Sequence, residues 1–366
     1  MTVQVRLGRL LAAGALVAAI AAPAKAQVTP AAGYTPPDDT PSIRVGATIY
    51  ADYTVQQKPK ITDADNNTVT FNSFNVGRSY VNITGNINHY IAFRITPDIS
   101  RETNTASALA GSYVFRLKYA FAQFNLDDWI TRGSWVRLGV QQTPLVDFME
   151  GIYRYRFQGT VFSEREGFLT SSDAGGSFHY NFDGNYGDIH AGFYNGEGYS
   201  RAEANDTKAF QIRGTVRPFH MHAILRGLRF TGFYDADAYV KDADKRRGDV
   251  AITFEHPHLN AAFEYLATKD QTSITKSRAD GKGWAVWLTP RATNGWEALL
   301  RVDHFEPNDT TDQKRERQIF GVSYWFPHQG SVSTALLFDV DNATFKNFTP
   351  SQPTQRRIAL HGLVNF

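Results

Sequence analysis

The chain has 366 residues, 13% aromatic and 20% charged, with no cysteine, which excludes a disulfide-stapled scaffold. Its 38 basic and 36 acidic residues give a formal charge of +2, a near balance that excludes a strongly basic chain and gives no support for nucleic-acid binding. After residue 26 no apolar run approaches the roughly 20 residues a spanning helix needs, and without disulfides the stability must come from a closed hydrogen-bonded sheet or a large core.

At the N-terminus, Arg6 and Arg9 precede an uninterrupted small and apolar run, Leu10 to Ala22, and Ala24-Lys25-Ala26 has the small-x-small form of a cleavage site. Residues 1–26 therefore read as a cleaved export signal, with Gln27 the first mature residue. The run is short for a membrane anchor. Removing Arg6, Arg9 and Lys25 takes the charge to −1, so the net basicity belongs to the signal. Residues 27–42, with Pro30, Pro36, Pro37 and Pro41, read as a flexible periplasmic tail, the alternative being a short plug or partner-binding peptide.

From Ile43 onward, segments of period two recur without a break. They are Ile43–Tyr53, Phe74–Gly85, His89–Thr96, Tyr113–Leu126, Trp135–Gln142, Gly176–Phe182, Gly187–Tyr194, Lys208–Val216, Leu228–Asp235, Asp249–Glu255, Ala261–Thr268, Trp284–Thr289, Trp296–Phe305, Gln318–Phe326, Val332–Asp341 and Arg357–Phe366. The connections alternate between long polar ones, such as Thr54–Ser73 and Ala236–Gly248, and short turn-like ones, such as Asn86-Ile87-Asn88. An even strand number with connections sorted by parity is the signature of an outer-membrane barrel, with short periplasmic turns and longer outer loops. Lipid leaves no backbone group unpaired, so the sheet must close. The expected fold is thus all-β: a transmembrane antiparallel barrel of about 16 strands over residues 43–366. The last strand ends on Phe366, as the closing strands of outer-membrane barrels do, and this aromatic is expected to serve the barrel assembly machinery as an assembly signal.

Parity also assigns faces. Val45, Ala47, Ile49 and Tyr53 face lipid, as do Ile91, Phe93 and Ile95, Phe115, Leu117, Tyr119 and Phe121, and Val136, Leu138 and Val140. The inward basic residues of the last strand and the first five are Arg357, Arg44, Arg78, Arg94, Arg116, Lys118 and Arg137, with Asp52 the chief inward acid. Because these strands are neighbours in a closed barrel, one arc of the lumen is expected to be basic. The alternative is a scatter of solvated charges.

The third long connection, Thr143–Gly175, is too apolar and aromatic for a solvent loop, and connections of this length are usually functional or disordered. It is expected to fold inward and narrow the pore, rather than lie as an outer lid. Asp147, Glu150, Glu164 and Glu166 would bring acids towards the basic arc, setting up a transverse field. In Tyr153-Arg154-Tyr155-Arg156-Phe157 the alternation suits aromatics packed on the wall, with Arg154 and Arg156 free to face the pore.

Gly77-Arg78-Ser79-Tyr80-Val81-Asn82-Ile83-Thr84-Gly85, Ile95-Thr96-Pro97-Asp98 and the Gly139–Tyr155 stretch with Thr143-Pro144 and Glu150-Gly151 resemble the phosphate-selective porin O/P family of Gram-negative outer membranes. The resemblance implies a sixteen-stranded, usually trimeric barrel with an inward third loop, passing small hydrophilic solutes or anions. Phosphate-specific members carry a lumenal arginine ladder and constriction lysines. Here only Lys118 is a well-placed inward lysine, and no ladder can be matched residue by residue.

Other motifs fail. Asp63-Ala64-Asp65-Asn66-Asn67 opens like a calcium loop, but Thr68 stands where its glycine belongs and Phe74 where its glutamate does; a looser loop-bound cation is the alternative. His220-Met221-His222 and His256-Pro257-His258 lack a third metal ligand. There is no nucleophile elbow or P-loop. The sequence points to a passive porin without cofactor, metal or catalytic residues, mildly anion-preferring, with Asp303, Asp339 and the loop acids tempering the preference. The alternative is a barrel that is not a channel: a receptor, adhesin or enzyme.

Overall fold

The computed structural model describes residues 39–366, except 329 and 331. The export signal and residues 27–38 lie outside these. Sixteen strands form one closed antiparallel barrel, each paired with its sequence neighbours and β1 with β16. They are β1 (Ser42–Thr62), β2 (Thr68–Asn86), β3 (Ile91–Arg101), β4 (Tyr113–Asn125), β5 (Trp135–Gln142), β6 (Ser172–Asn181), β7 (Gly187–Tyr194), β8 (Ala209–Val216), β9 (Leu228–Val240), β10 (Ala243–His256), β11 (Leu259–Asp270), β12 (Ala279–Pro290), β13 (Trp296–Glu306), β14 (Lys314–Trp325), β15 (Ser333–Lys346) and β16 (Gln355–Asn365). No helix among the described residues is long and apolar enough to cross a membrane.

Period two is visible in burial. On β9 and β10, Phe230, Tyr234, Val250 and Ile252 are exposed, while Arg229, Thr231, Asp235, Arg247, Asp249, Thr253 and Glu255 between them are buried. Apolar outside and polar inside inverts a soluble barrel and matches a transmembrane one. Closure is direct: the Phe366 N–H donates to the Ala47 carbonyl and the Ala47 N–H to the Phe366 carbonyl, both at 3.0 Å. A Cβ on Gly46 would collide with the Phe366 carbonyl, so the seam needs glycine there.

Two expectations change. Several long connections are strand overhang. Thr54–Ser73 is mostly a hairpin extension, with Thr62 opposite Thr68, and Asp63 Oδ1 caps its turn by accepting from the N–H groups of Asp65 (3.0 Å) and Asn67 (2.8 Å). The calcium-like motif is thus an Asx turn. Ala236–Gly248 is likewise β9 running into β10 through residues 241 and 242. Connection lengths therefore sort by parity less cleanly than the sequence suggests.

The second change is in β4. Thr96 pairs with Tyr119 but Pro97 with Leu117, which leaves Lys118 as an extra residue in a β-bulge. Pro97 offers no N–H to the ladder. Beyond the bulge the parity reverses: Tyr119 and Phe121 are buried on the inner face and Phe124 is exposed, whereas Phe115 and Leu117 before it are exposed. The expectation that Tyr119 and Phe121 face lipid is overturned.

Candidate functional site

The connection between β5 and β6 supplies much of a large buried apolar cluster, from Leu145 to Leu169. Pro144 begins α1 (Pro144–Ile152), where its missing N–H costs nothing. Leu145, Val146, Met149 and Ile152 fall on one helical face and are buried. A short second helix, α2, spans Phe162–Arg165. At the base, Thr143 Oγ1 donates to the Thr170 carbonyl.

The rest of the segment is tied to wall residues that point away from the exposed apolar band. Arg213 of β8 donates to the Pro144 carbonyl (3.0 Å), Asn260 of β11 to that of Ile152 (2.9 Å) and Arg301 of β13 to that of Thr160 (2.9 Å). Tyr155 donates its hydroxyl to Glu297 Oε2 at 3.0 Å. Tyr153 packs on Trp287 of β12 (5.2 Å between centroids), Tyr155 and Phe157 on Trp325 of β14 (5.8 and 6.0 Å), and Phe157 on Tyr50 of β1 (6.4 Å). Sequence reasoning found the aromatics 153, 155 and 157. It missed their partners Trp287, Glu297 and Trp325, which no local pattern marks.

The two arginines between these aromatics are not free. Arg154 pairs with Glu297 (3.0 Å) and lies over Trp325 (4.0 Å), so it is a wall anchor rather than a pore-facing group. Arg156 pairs with Glu150 and with Glu164 (3.2 Å). Burial alone would make Arg156 easier to deprotonate, but the two carboxylates outweigh it and raise its pKa, keeping it charged.

Two cavities meet at Arg156. The first, of about 340 Å³, is lined by Tyr50, Asp52, Arg78, Arg156, Arg357 and His361 among others. The second, of about 260 Å³, is lined by Tyr50, Tyr80, Asn82, Arg94, Lys118, Tyr119, Asp147, Glu150 and Arg156. Tyr50 and Arg156 stand in both. The structure thus gathers Arg94, Lys118, Asp147, Glu150 and Arg156 around one space, and Arg78, Arg156 and Arg357 around its neighbour. Arg44, exposed near the start of β1, Arg116, Arg137 and Arg154 line neither.

The arc's charge is partly cancelled by an acid the sequence reading left in a loop. Asp98, wholly buried on β3, pairs with Arg78 and Arg116 (3.4 Å) and accepts from Tyr199 (2.9 Å). Arg357 pairs with Asp341 at 2.9 Å. Among the described residues, Arg94, Lys118 and Arg137 have no carboxylate at ion-pair distance. Arg94 donates to Asn82 (2.9 Å) and lies over Tyr119 (4.4 Å); Lys118 lies over Tyr80 (4.9 Å). Arg137 donates to Gln123 (2.8 Å) and stacks on Trp135 (3.7 Å). The arc is therefore a mixed network in which two cations at its second cavity, Arg94 and Lys118, form no ion pair.

No family model and no curated protein matches the chain. Solved structures do. An anion-selective porin from Comamonas acidovorans superposes with a TM-score of 0.61 at 11% identity, over 89% of this chain and 100% of that one. The outer membrane channel DcaP of Acinetobacter baumannii gives 0.57 at 10%, over 89% and 97%. The trimer form of OmpT, an outer membrane protein of Vibrio cholerae, gives 0.59 at 12%, over 90% and 100%. The chain has the fold of the outer-membrane porins. At these identities the likeness speaks for the fold, and the site has to speak for itself.

Proposed function

We propose that the protein is a passive outer-membrane channel for small hydrophilic solutes with a mild preference for anions, working as a homotrimer and without catalysis. One observation carries this reading: two cavities on the inner face of a closed barrel share Tyr50 of the wall and Arg156 of the 143–171 segment. A solute crossing from one to the other passes between those two side chains. The segment, folded into the lumen, is then the constriction. Lipid covers the exposed apolar band, which is too extensive to stand in water.

Charge supports the anion preference. Around the second cavity Arg94, Lys118 and Arg156 face Asp147 and Glu150, a small cationic excess across a narrow gap where screening is weak. Phosphate is one oxyanion that suits Arg94 and Lys118 beside Asn82 and the tyrosine hydroxyls, consistent with the resemblance to phosphate-selective porins. Removal of Gly151–Gly159 tests the constriction in planar bilayers. The folded deletion variant should conduct more and admit larger solutes. Unaltered conductance and size exclusion would place the constriction elsewhere.

A further inference from the structure

A third cavity, of about 540 Å³, lies away from the basic arc, between β8, β9, β10, the end of the 143–171 segment and the connection after β7. Its charged lining is mainly acidic: Glu164, Asp173, Glu197, Asp235 and Asp237. Its half-buried Lys245 and buried Arg247 are already committed. Lys245 donates to Asp237 Oδ2 and to the Gly196 carbonyl, each at 2.7 Å. Arg247 donates to Asp270 (2.7 Å) and to the Tyr239 hydroxyl (3.1 Å). Arg201 is exposed.

Most of the acids are satisfied as well. Asp173 accepts from the N–H groups of Ala174 and Gly196, both at 2.7 Å, and Glu164 holds Arg156. Asp235 is different. It is 2% exposed, it lines the cavity, and its Oδ1 accepts no hydrogen bond. Glu197 Oε2 in the same cavity is also without a donor. A buried carboxylate oxygen without a donor is costly, and a cation from solution removes the cost.

The ligand class follows from size and donor set. The described residues hold no group of three or more His, Asp, Glu or Cys suited to a metal ion, and the volume fits a small organic molecule rather than a bare ion. Phe168, Leu169, Ala202 and Ala238 supply apolar wall for methylenes. We propose that this cavity binds a small organic cation carrying an ammonium or guanidinium group, with Asp235 as the main acceptor and Glu197 as the second.

Calorimetric titration of the full-length barrel in detergent tests this without reference to conduction. Putrescine and agmatine are the probes and butane-1,4-diol the neutral counterpart. Both amines should bind and the diol should not. Asp235→Asn should weaken putrescine by about tenfold or more, the scale of one lost charge-assisted hydrogen bond, and Glu197→Gln, which keeps Asp235, by a smaller factor. Absence of amine binding, equal binding of the diol, or wild-type affinity in either folded variant overturns the proposal.

Discussion

Tyr155→Phe isolates the attachment of the 143–171 segment to the wall. Tyr155 has no exposed surface. Its hydroxyl donates to Glu297 Oε2 (3.0 Å), lies 2.7 Å from Ser323 Oγ and receives the Trp325 indole N–H at 3.4 Å. The substitution removes the hydroxyl and leaves the ring, with its packing on Phe157 (5.6 Å) and Trp325, in place. Glu297 keeps Arg154 (3.0 Å) and Arg291 (3.4 Å), so no charge is orphaned. The main loss is the charge-assisted bond to Glu297, about 1.5–3 kcal/mol, with the Ser323 contact and the long Trp325 bond going with it. A loss of about 2 kcal/mol multiplies the ratio of detached to seated segment roughly thirtyfold. Single-channel records should show the main level unchanged and excursions to higher conductance more frequent by that order. If the folded variant shows neither more excursions nor a changed conductance, this hydroxyl does not hold the segment.

Replacing Arg94 and Lys118 together with glutamine should shift the reversal potential in a salt gradient towards cations, whereas Arg137→Gln should shift it less because Arg137 lines neither cavity; an equal or absent shift refutes the charge reading. Deleting Phe366 removes two backbone bonds to Ala47, together about 1–3 kcal/mol, so barrels refolded in detergent should persist while the inserted fraction in cells falls; undiminished insertion counts against Phe366 as an assembly signal. In the turn after β2, the hydrogen bond to Asp39 raises the His89 pKa and lowers that of Asp39. The His89 contribution is complete below its ordinary value of 6.5 and fades as pH rises through its folded value, while that of Asp39 fades as pH falls below the ordinary 3.8. Amide protection of residues 87–90 should therefore be greatest between those pH values, and His89→Ala should abolish the dependence.

The barrel was legible because alternation is a local property. Each lipid-facing strand must repeat every two residues, and sixteen such stretches stand in the sequence in order. What a local pattern cannot show is where alternation slips: nothing around Lys118 announces the bulge that turns Tyr119 and Phe121 inward. Pro97 ended the expected third strand, yet β3 runs on to Arg101 and carries Asp98 into the arc. The aromatic run 153–157 was readable as a packed segment. Its anchors were not, because Trp287, Glu297 and Trp325 lie more than a hundred residues away and meet it only through closure.

Lys118 owes its place to a count of residues rather than to a choice among side chains. Were it paired in the ladder like its neighbours instead of bulged, Tyr119 and Phe121 would rotate outward to join Phe115 and Leu117, while Ala120 and Ala122 took their stations within. Half a strand trades oil for water according to whether that one residue is paired or left out. Along such a wall, the choice of which residue is left unpaired is the coarse control of what lies inside, and amino-acid exchange is the fine one.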